Sequence, residues 1–373
     1  PGLPWLPLAS PGLPWPPPAL SRSPGYENEL PPAQCDAVCE KHDGQDKNRI
    51  NGAAFIARLK NENLFLIPLD TEDLWFRYHH LFKELLKRQL NQRYGSEEIS
   101  AFHLRASECL ETEGLVDEAI KHAIAADNED RAVNLVEQNR QTMLNSNRWF
   151  IFEKWLSLLP HKMIEQRPEL MLAQAWVHYF NYRFELVLQA VDVAESLLIN
   201  DPGEAPAHGE IYLFRGAMCY MRGEGSKGLK NIEKALKRIP EANHMVRGFA
   251  EIYFGLTGQM TGQKEKVVRV LSALLADRSL ELSRKMRILT ALVWIHLISG
   301  DLPVASGLNA QLTDAANRNR VAPFISWSSY NQGLIHFHQN ELDSAIHHFG
   351  HAAEHGYLML RRADVDSMVG LSL

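Results

Sequence analysis

Trp75-Phe76-Arg77-Tyr78-His79-His80-Leu81-Phe82-Lys83-Glu84-Leu85-Leu86, preceded by Asn63-Leu64-Phe65-Leu66-Ile67-Pro68-Leu69-Asp70, is where the hydrophobic rhythm of the chain changes. Two short β-type runs flank an Asp70-Thr71-Glu72-Asp73 turn, and the second leads straight into an amphipathic helix. A hairpin followed at once by a helix predicts a small winged-helix module. Beyond it the rhythm is helical only. From Glu97 onward, apolar faces such as Leu186, Val187, Ala190, Val191, Ala194 and Leu197 recur at helical spacing, separated by short polar or glycine-bearing breaks. The breaks include Asp201-Pro-Gly, Arg222-Gly-Glu-Gly, Thr261-Gly-Gln, Ser299-Gly-Asp and Gln339-Asn, which predict antiparallel helix pairs.

These pairs repeat. Aligning the second helices on Val187, Gly228, Val267, Ala305 and Ala345 leaves separations of 41, 39, 38 and 40 residues. Gly216, Gly255 and Gly333 fall at one offset in the first helices, and Ala194, Ala235 and Ala352 in the second, small residues that let paired helices approach closely. The unit carrying Tyr212, Gly216, Ile232, Ala235 and Pro240 matches a tetratricopeptide repeat best, and the unit around Ala305 departs from it. The expected fold is mainly α, a right-handed tetratricopeptide-like α-solenoid preceded by a winged-helix remnant with a β-hairpin.

Composition sets the outer bounds. The 373 residues, 45% hydrophobic and 23% charged, can bury more than one core. With 39 Lys+Arg against 45 Asp+Glu, the net charge of −6 gives no global attraction for nucleic acid or an anionic membrane. Four cysteines do not make a disulfide framework, and no apolar run reaches membrane-spanning length, so a cytoplasmic protein without a transmembrane segment is expected. Residues 1–33, where Pro1-Gly-Leu-Pro-Trp5 recurs as Pro11-Gly-Leu-Pro-Trp15, are expected to be disordered or polyproline-like, because proline blocks helix and ladder hydrogen bonds. Three regions follow: 1–33 proline-rich, 34–95 winged helix, and 96–373 helical repeats.

The hairpin and its Arg77-Tyr78-His79-His80-Leu81-Phe82 string resemble the end of the nucleotide-binding module in the MalT-like, ATP-dependent activators of the LuxR class. Gly114-Leu-Val-Asp-Glu-Ala-Ile-Lys-His122 resembles the first helical hairpin of the sensor in the same family, and the resemblance covers roughly residues 50 to 373. It implies a signal-sensing region of a bacterial transcriptional activator, with a small-molecule inducer or a regulatory protein received by the helical repeats. In such activators the signal favours an ATP-bound, self-associating state, and a C-terminal helix-turn-helix binds promoters. No Gly-x-x-x-x-Gly-Lys-Ser/Thr string occurs here and the first residue is Pro1, so the chain is expected to be part of a longer reading frame. ATP or ADP is expected for the full-length protein and no cofactor for this piece; it is not expected to be an enzyme. The resemblance also implies a role for His79. In the wider class of signal-transducing ATPases, a histidine in a Phe-x-x-His-x-Leu setting senses the nucleotide β-phosphate, and Phe76-Arg77-Tyr78-His79-His80-Leu81 is similar, with His80 where an acidic residue is common. The competing function is a free-standing tetratricopeptide scaffold for a peptide or protein segment, which would not need the Leu64 to Leu86 unit.

Other motifs carry less. Gly223-x-Gly225-x-x-Gly228 matches a dinucleotide fingerprint but joins two predicted helices, where the phosphate-cradling geometry needs a strand. His347, His351 and His355, with His336 and His338 on the preceding helix, could share zinc, and Cys35, Cys39 and His42 supply three of four ligands; no metal site is expected from either. Lys227, Lys230, Lys234 and Lys237 form a stripe that reads as a solvated face. The ligand-binding candidates are first-helix residues assigned to the concave surface: Trp176, Tyr179, Phe180, Tyr220, Met221, Trp294, Phe337 and His338. Trp176 and Trp294 are expected to be partly exposed in an aromatic groove, the alternative being that the set is interhelical core.

Overall fold

The computed structural model describes residues 57, 59–62, 66–68, 76–200 and 205–356. The proline-rich start and the Cys35, Cys39 and His42 group lie outside them. The chain divides into two compact units between Cys109 and Leu110.

In the first unit, β1 (Leu66–Pro68) and β2 (Phe76–Tyr78) pair antiparallel, Leu66 opposite Tyr78 and Pro68 opposite Phe76. The chain then enters α1 (His80–Arg93) with His79 at the N-cap. Helix α2 (Ser96–Thr112) follows, with Glu97 and Glu98 in its first turn, where the helix dipole favours negative charge. Tyr94 packs edge-on against Phe102 at 5.1 Å.

The second unit is helical throughout its described residues. It runs α3 (Val116–Ala125), α4 (Glu129–Asn145), α5 (Trp149–Leu158), the single turn α6 (His161–Ile164), α7 (Pro168–Phe180), α8 (Phe184–Leu197), α9 (Pro206–Met221) and α10 (Gly225–Arg238). It continues with α11 (His244–Met260), α12 (Lys264–Leu275), α13 (Leu282–Ile298), α14 (Leu302–Arg318), α15 (Ala322–His338) and α16 (Leu342–Gly356). Helices pack in sequential pairs, α7 with α8, α9 with α10, α13 with α14 and α15 with α16, and first helices also meet one another, α11 against α13 most extensively.

The turns show the repeat in the backbone. Tyr182, Gly223, Gly262, Gly300 and Asn340 are left-handed, with φ of 60, 78, 72, 75 and 63°, and their separations of 41, 39, 38 and 40 residues reproduce the sequence alignment. One residue later, each chain reversal closes with the same bond: Arg183 N to His178 O, Glu224 N to Cys219 O, Gln263 N to Gly258 O, Asp301 N to His296 O and Glu341 N to His336 O, all 2.8–2.9 Å. This bond over five residues satisfies a carbonyl that the ending helix leaves orphaned, and it requires the left-handed residue before it. Glycine costs nothing there; tyrosine and asparagine carry a strain that the second helix must offset.

Close approach within pairs has the predicted cause. A Cβ on Gly216 would lie 2.5 Å from Ile232 Cδ1, and one on Gly333 would lie 2.6 Å from the Phe349 ring. Ala194, Ala235 and Ala352 are fully buried opposite. In α10 the stripe divides as expected: Gly228, Leu229, Ile232 and Ala235 are buried while all four lysines are exposed, with Lys234 also lying 5.1 Å from the centroid of Tyr212. The α8 face is narrower than its sequence suggests, since Leu186 and Leu197 at its edges are exposed. Gly223, Gly225 and Gly228 form a helix-to-helix turn in which Gly225 packs against Met260, so the fingerprint reading fails for want of a strand. Among the described residues no helix is long and apolar enough to cross a membrane.

Candidate ligand cleft

The expected aromatic groove divides into a closed part and an open part. Trp176, expected to be partly exposed, is 1% exposed, and Tyr179 and Phe180 are buried beside it. The reason is mutual packing. Trp176 lies 4.7 Å from Phe214 and 5.4 Å from Phe249, with Phe180 stacked at 5.7 Å, and the Tyr179 hydroxyl meets the Tyr253 hydroxyl at 2.7 Å. The Trp176 indole N–H donates to Glu210 Oε2 at 2.7 Å, and Arg140 grips the same carboxylate with two N–H groups at 2.9 and 2.5 Å. A buried carboxylate needs such partners to remain charged. These aromatics are interhelical core, the alternative weighed from sequence.

Trp294 is half-buried, stacked on Trp327 at 4.7 Å, and its indole N–H donates to Asn331 at 2.8 Å. Tyr220 and Phe337 are half-buried, and Met221 and His338 are exposed. None of these four lines the cleft walled by Trp149, Phe249 and Trp327.

That cleft is open on one side and lies between α5, α7, α11, α13 and α15; its unfilled space of about 450 Å³ includes open solvent, and the cavity proper is about 30 Å³. Its apolar walls are Trp149, Phe180, Phe249, Ile252, Pro323, Phe324 and Trp327; its polar groups are Asn147, Arg287 and Thr290. Of the ligand-binding residues named from sequence, Phe180 alone is among them. Asn147 sits at the end of α4 with φ 57°, a left-handed turn that brings its side chain to α13.

Arg287 is 3% exposed. Its guanidinium donates to Asn147 Oδ1 and, at 2.9 Å, to Ser283 Oγ, and lies 5.3 Å from the Phe249 centroid and 5.4 Å from that of Phe324. Burial pulls its pKa down to about 10, with Glu281 and Glu251 opposing the shift, so it remains a cation at neutral pH. Sequence reading missed this residue because Ser283-Arg284-Lys285-Met286-Arg287 looks like a solvated helix start. Arg284, 4% exposed, is also buried, but it grips Glu251 through Nε at 3.0 Å and through Nη2, and reaches Glu241 through Nη1.

His79 is half-buried at the N-cap of α1 and makes no side-chain cap bond to that helix. In the last pair, His336 Nδ1 meets Glu341 at 2.6 Å, His336 stacks on His348 at 5.2 Å, and His351 Nδ1 meets the Ser329 hydroxyl at 2.9 Å. Among the described residues no three metal-ligating side chains converge.

With this geometry in hand, known proteins give context. Residues 27–98 match the model of the MalT winged helix domain. Over 274 residues the chain is 27% identical to the HTH-type transcriptional regulator MalT of Yersinia enterocolitica serotype O:8 / biotype 1B, an alignment covering 73% of this chain and 29% of that protein. It is 28% identical over 236 residues to the MalT regulator of Klebsiella pneumoniae strain 342, covering 63% and 26%, and 26% identical over 274 residues to that of Yersinia pestis strain Pestoides F. The MalT-like resemblance read from the hairpin and its histidine string is therefore borne out. The chain spans less than a third of the length of these curated relatives.

Proposed function

We propose that the chain is the signal-receiving region of an ATP-dependent, MalT-like, LuxR-class transcriptional activator of the cytoplasm, in which paired helices receive a small-molecule inducer or a regulatory protein. The observation that carries this reading is continuity: a winged-helix match at residues 27–98 and, directly behind it, repeating helix pairs that keep an open cleft. A free-standing scaffold has no need of the first element. The regular left-handed turns favour a tetratricopeptide-like solenoid for the second.

On this reading the chain itself is a sensor and not an enzyme. ATP or ADP binds the nucleotide-binding module of the longer protein, where His79 senses its phosphates, self-association follows, and promoter contact belongs to a helix-turn-helix domain. His79→Ala in a protein carrying that module should weaken ADP retention and raise basal transcription.

The reading is tested by a hybrid in which residues aligned with Yersinia enterocolitica MalT replace its own segment. Transcription in the hybrid should depend on a fraction of the source cell's extract. A folded, nucleotide-binding hybrid whose transcription ignores every fraction would overturn the proposal.

A further inference from the structure

The described residues include three buried arginines, and two of them hold carboxylates in direct contact: Arg140 with Glu210, and Arg284 with Glu251 and Glu241. Arg287 has none within ion-pair distance among the described residues. The acids nearest to it in effect are already committed, Glu251 to Arg284 and Glu281 to the backbone N–H of Arg284 and the Ser283 hydroxyl. Its bonds go to the neutral Asn147 and Ser283, and two phenyl rings flank it. A desolvated cation without a counter-charge is costly, and ring faces and amide dipoles offset only part of that cost. Arg287 is one of the residues lining the cleft, and among the described residues no aspartate or glutamate lines it.

The donor set narrows the ligand. Asn147 presents its oxygen to Arg287, which leaves its amide N–H groups as donors, and the Thr290 hydroxyl already donates to Met286 O at 2.9 Å. The cleft thus offers donors and one full positive charge from Asn147 and Arg287, and an acceptor at Thr290 Oγ1, against walls of flat aromatic surface. A neutral sugar, rich in hydroxyl donors, would find one side-chain hydroxyl acceptor there, Thr290 Oγ1, and would leave the positive charge unmatched. A monoanion with a flat apolar body would match both the charge and the faces.

We propose that the cleft binds a small organic carboxylate whose anionic group pairs with Arg287 and Asn147 and whose flat apolar body lies among Trp149, Phe249, Phe324 and Trp327. The proposal deepens the sensor reading by naming the inducer's chemical class, and rests on that reading only for its regulatory meaning. Arg287 is 3% exposed, so side chains around it must yield for the ligand's anion to reach the guanidinium.

The test uses the whole chain and follows tryptophan fluorescence and titration heat. Probes are phenylacetate and indole-3-acetate, their neutral isosteres phenylacetamide and indole-3-acetamide, and the neutral sugars maltose and maltotriose. A carboxylate should bind with Kd below about 1 mM and at least about tenfold more tightly than its amide. Arg287→Lys should keep the preference for the anion and Arg287→Met should abolish it, with helix content by circular dichroism unchanged. Should Arg287→Met fail to fold, the comparison of isosteres on the unaltered protein decides alone. Equal affinity for acid and amide, no binding of either acid, or sugar binding that neither acid displaces would each overturn the proposal. The last of these would leave the sensor reading standing, and failure of the hybrid's transcription with carboxylate binding intact would sink the sensor reading alone.

Discussion

Arg140 and Arg287 occupy the same helical unit and are buried to similar depth, yet their surroundings are opposites. Around Arg140 the charge is closed: Glu210 takes two of its N–H groups and the Trp176 indole, and the rings of Phe214 and Phe249 seal the Trp176 side. Around Arg287 the charge is left open, with neutral partners, two ring faces and a cleft. One arrangement satisfies a core; the other leaves a buried cation with neutral partners and no paired carboxylate among the described residues. The difference teaches that burial of an arginine says little until its carboxylate has been found.

Substitutions can break that contrast. The largest effect is expected at the closed site: Glu210→Gln should lower stability by about 3–5 kcal/mol in urea unfolding, because it strands the Arg140 charge in the core. An effect under about 1 kcal/mol would mean that the pair is solvated after all. Next comes the polar chain that orients the wall of the cleft. Asn331 is fully buried, accepts from Trp294 and donates to Asn309 at 3.2 Å, so Asn331→Ala should cost about 1–3 kcal/mol and alter the Trp294 fluorescence. At the open site, Arg287→Met should change stability by less than about 1 kcal/mol in either direction, since it removes a charge that has no paired acid. A loss as large as that of Glu210→Gln would make Arg287 a structural tie between the Asn147 turn and α13, and erase the contrast.

The smallest effect concerns acid. Burial first, and then the neighbouring His336, His347 and His351, hold the His348 pKa below its ordinary value. A lowered histidine pKa means that the unfolded chain takes up the proton first. Its contribution to stability is therefore present above the unfolded value and is lost as pH falls through the lower folded value. The melting midpoint should drop between about pH 7.5 and about pH 5.5, and His348→Gln should reduce that drop. An unaltered pH dependence in this variant would remove His348 from the account.

Much of the second unit was legible in the chain itself. The separations between Val187, Gly228, Val267, Ala305 and Ala345 return in the left-handed turns five residues before each, because a helix that ends in this bond needs such a residue at a set distance from the next helix. The small residues Gly216, Gly333 and Ala235 announced close approach because nothing larger fits there. The candidate site was far less legible. Trp176 and Trp294 stand at comparable places in their helices, but Trp176 is sealed by Phe214 and Phe249 from other helices, while Trp294 leans on Trp327 and stays half-exposed to its surroundings.

The sequence by itself determined the helices, their pairing period and the kinship of the Arg77 to Phe82 string, since these depend on local spacing and on residues near one another in the chain. Tertiary structure alone decided which aromatics became core and which became wall, and which arginine kept its charge unspent. Asn147 and Arg287 are 140 positions apart, and Arg140 and Glu210 are 70 apart. Charge compensation depends on distance in space, and no periodicity along the chain records which carboxylate a buried guanidinium will meet.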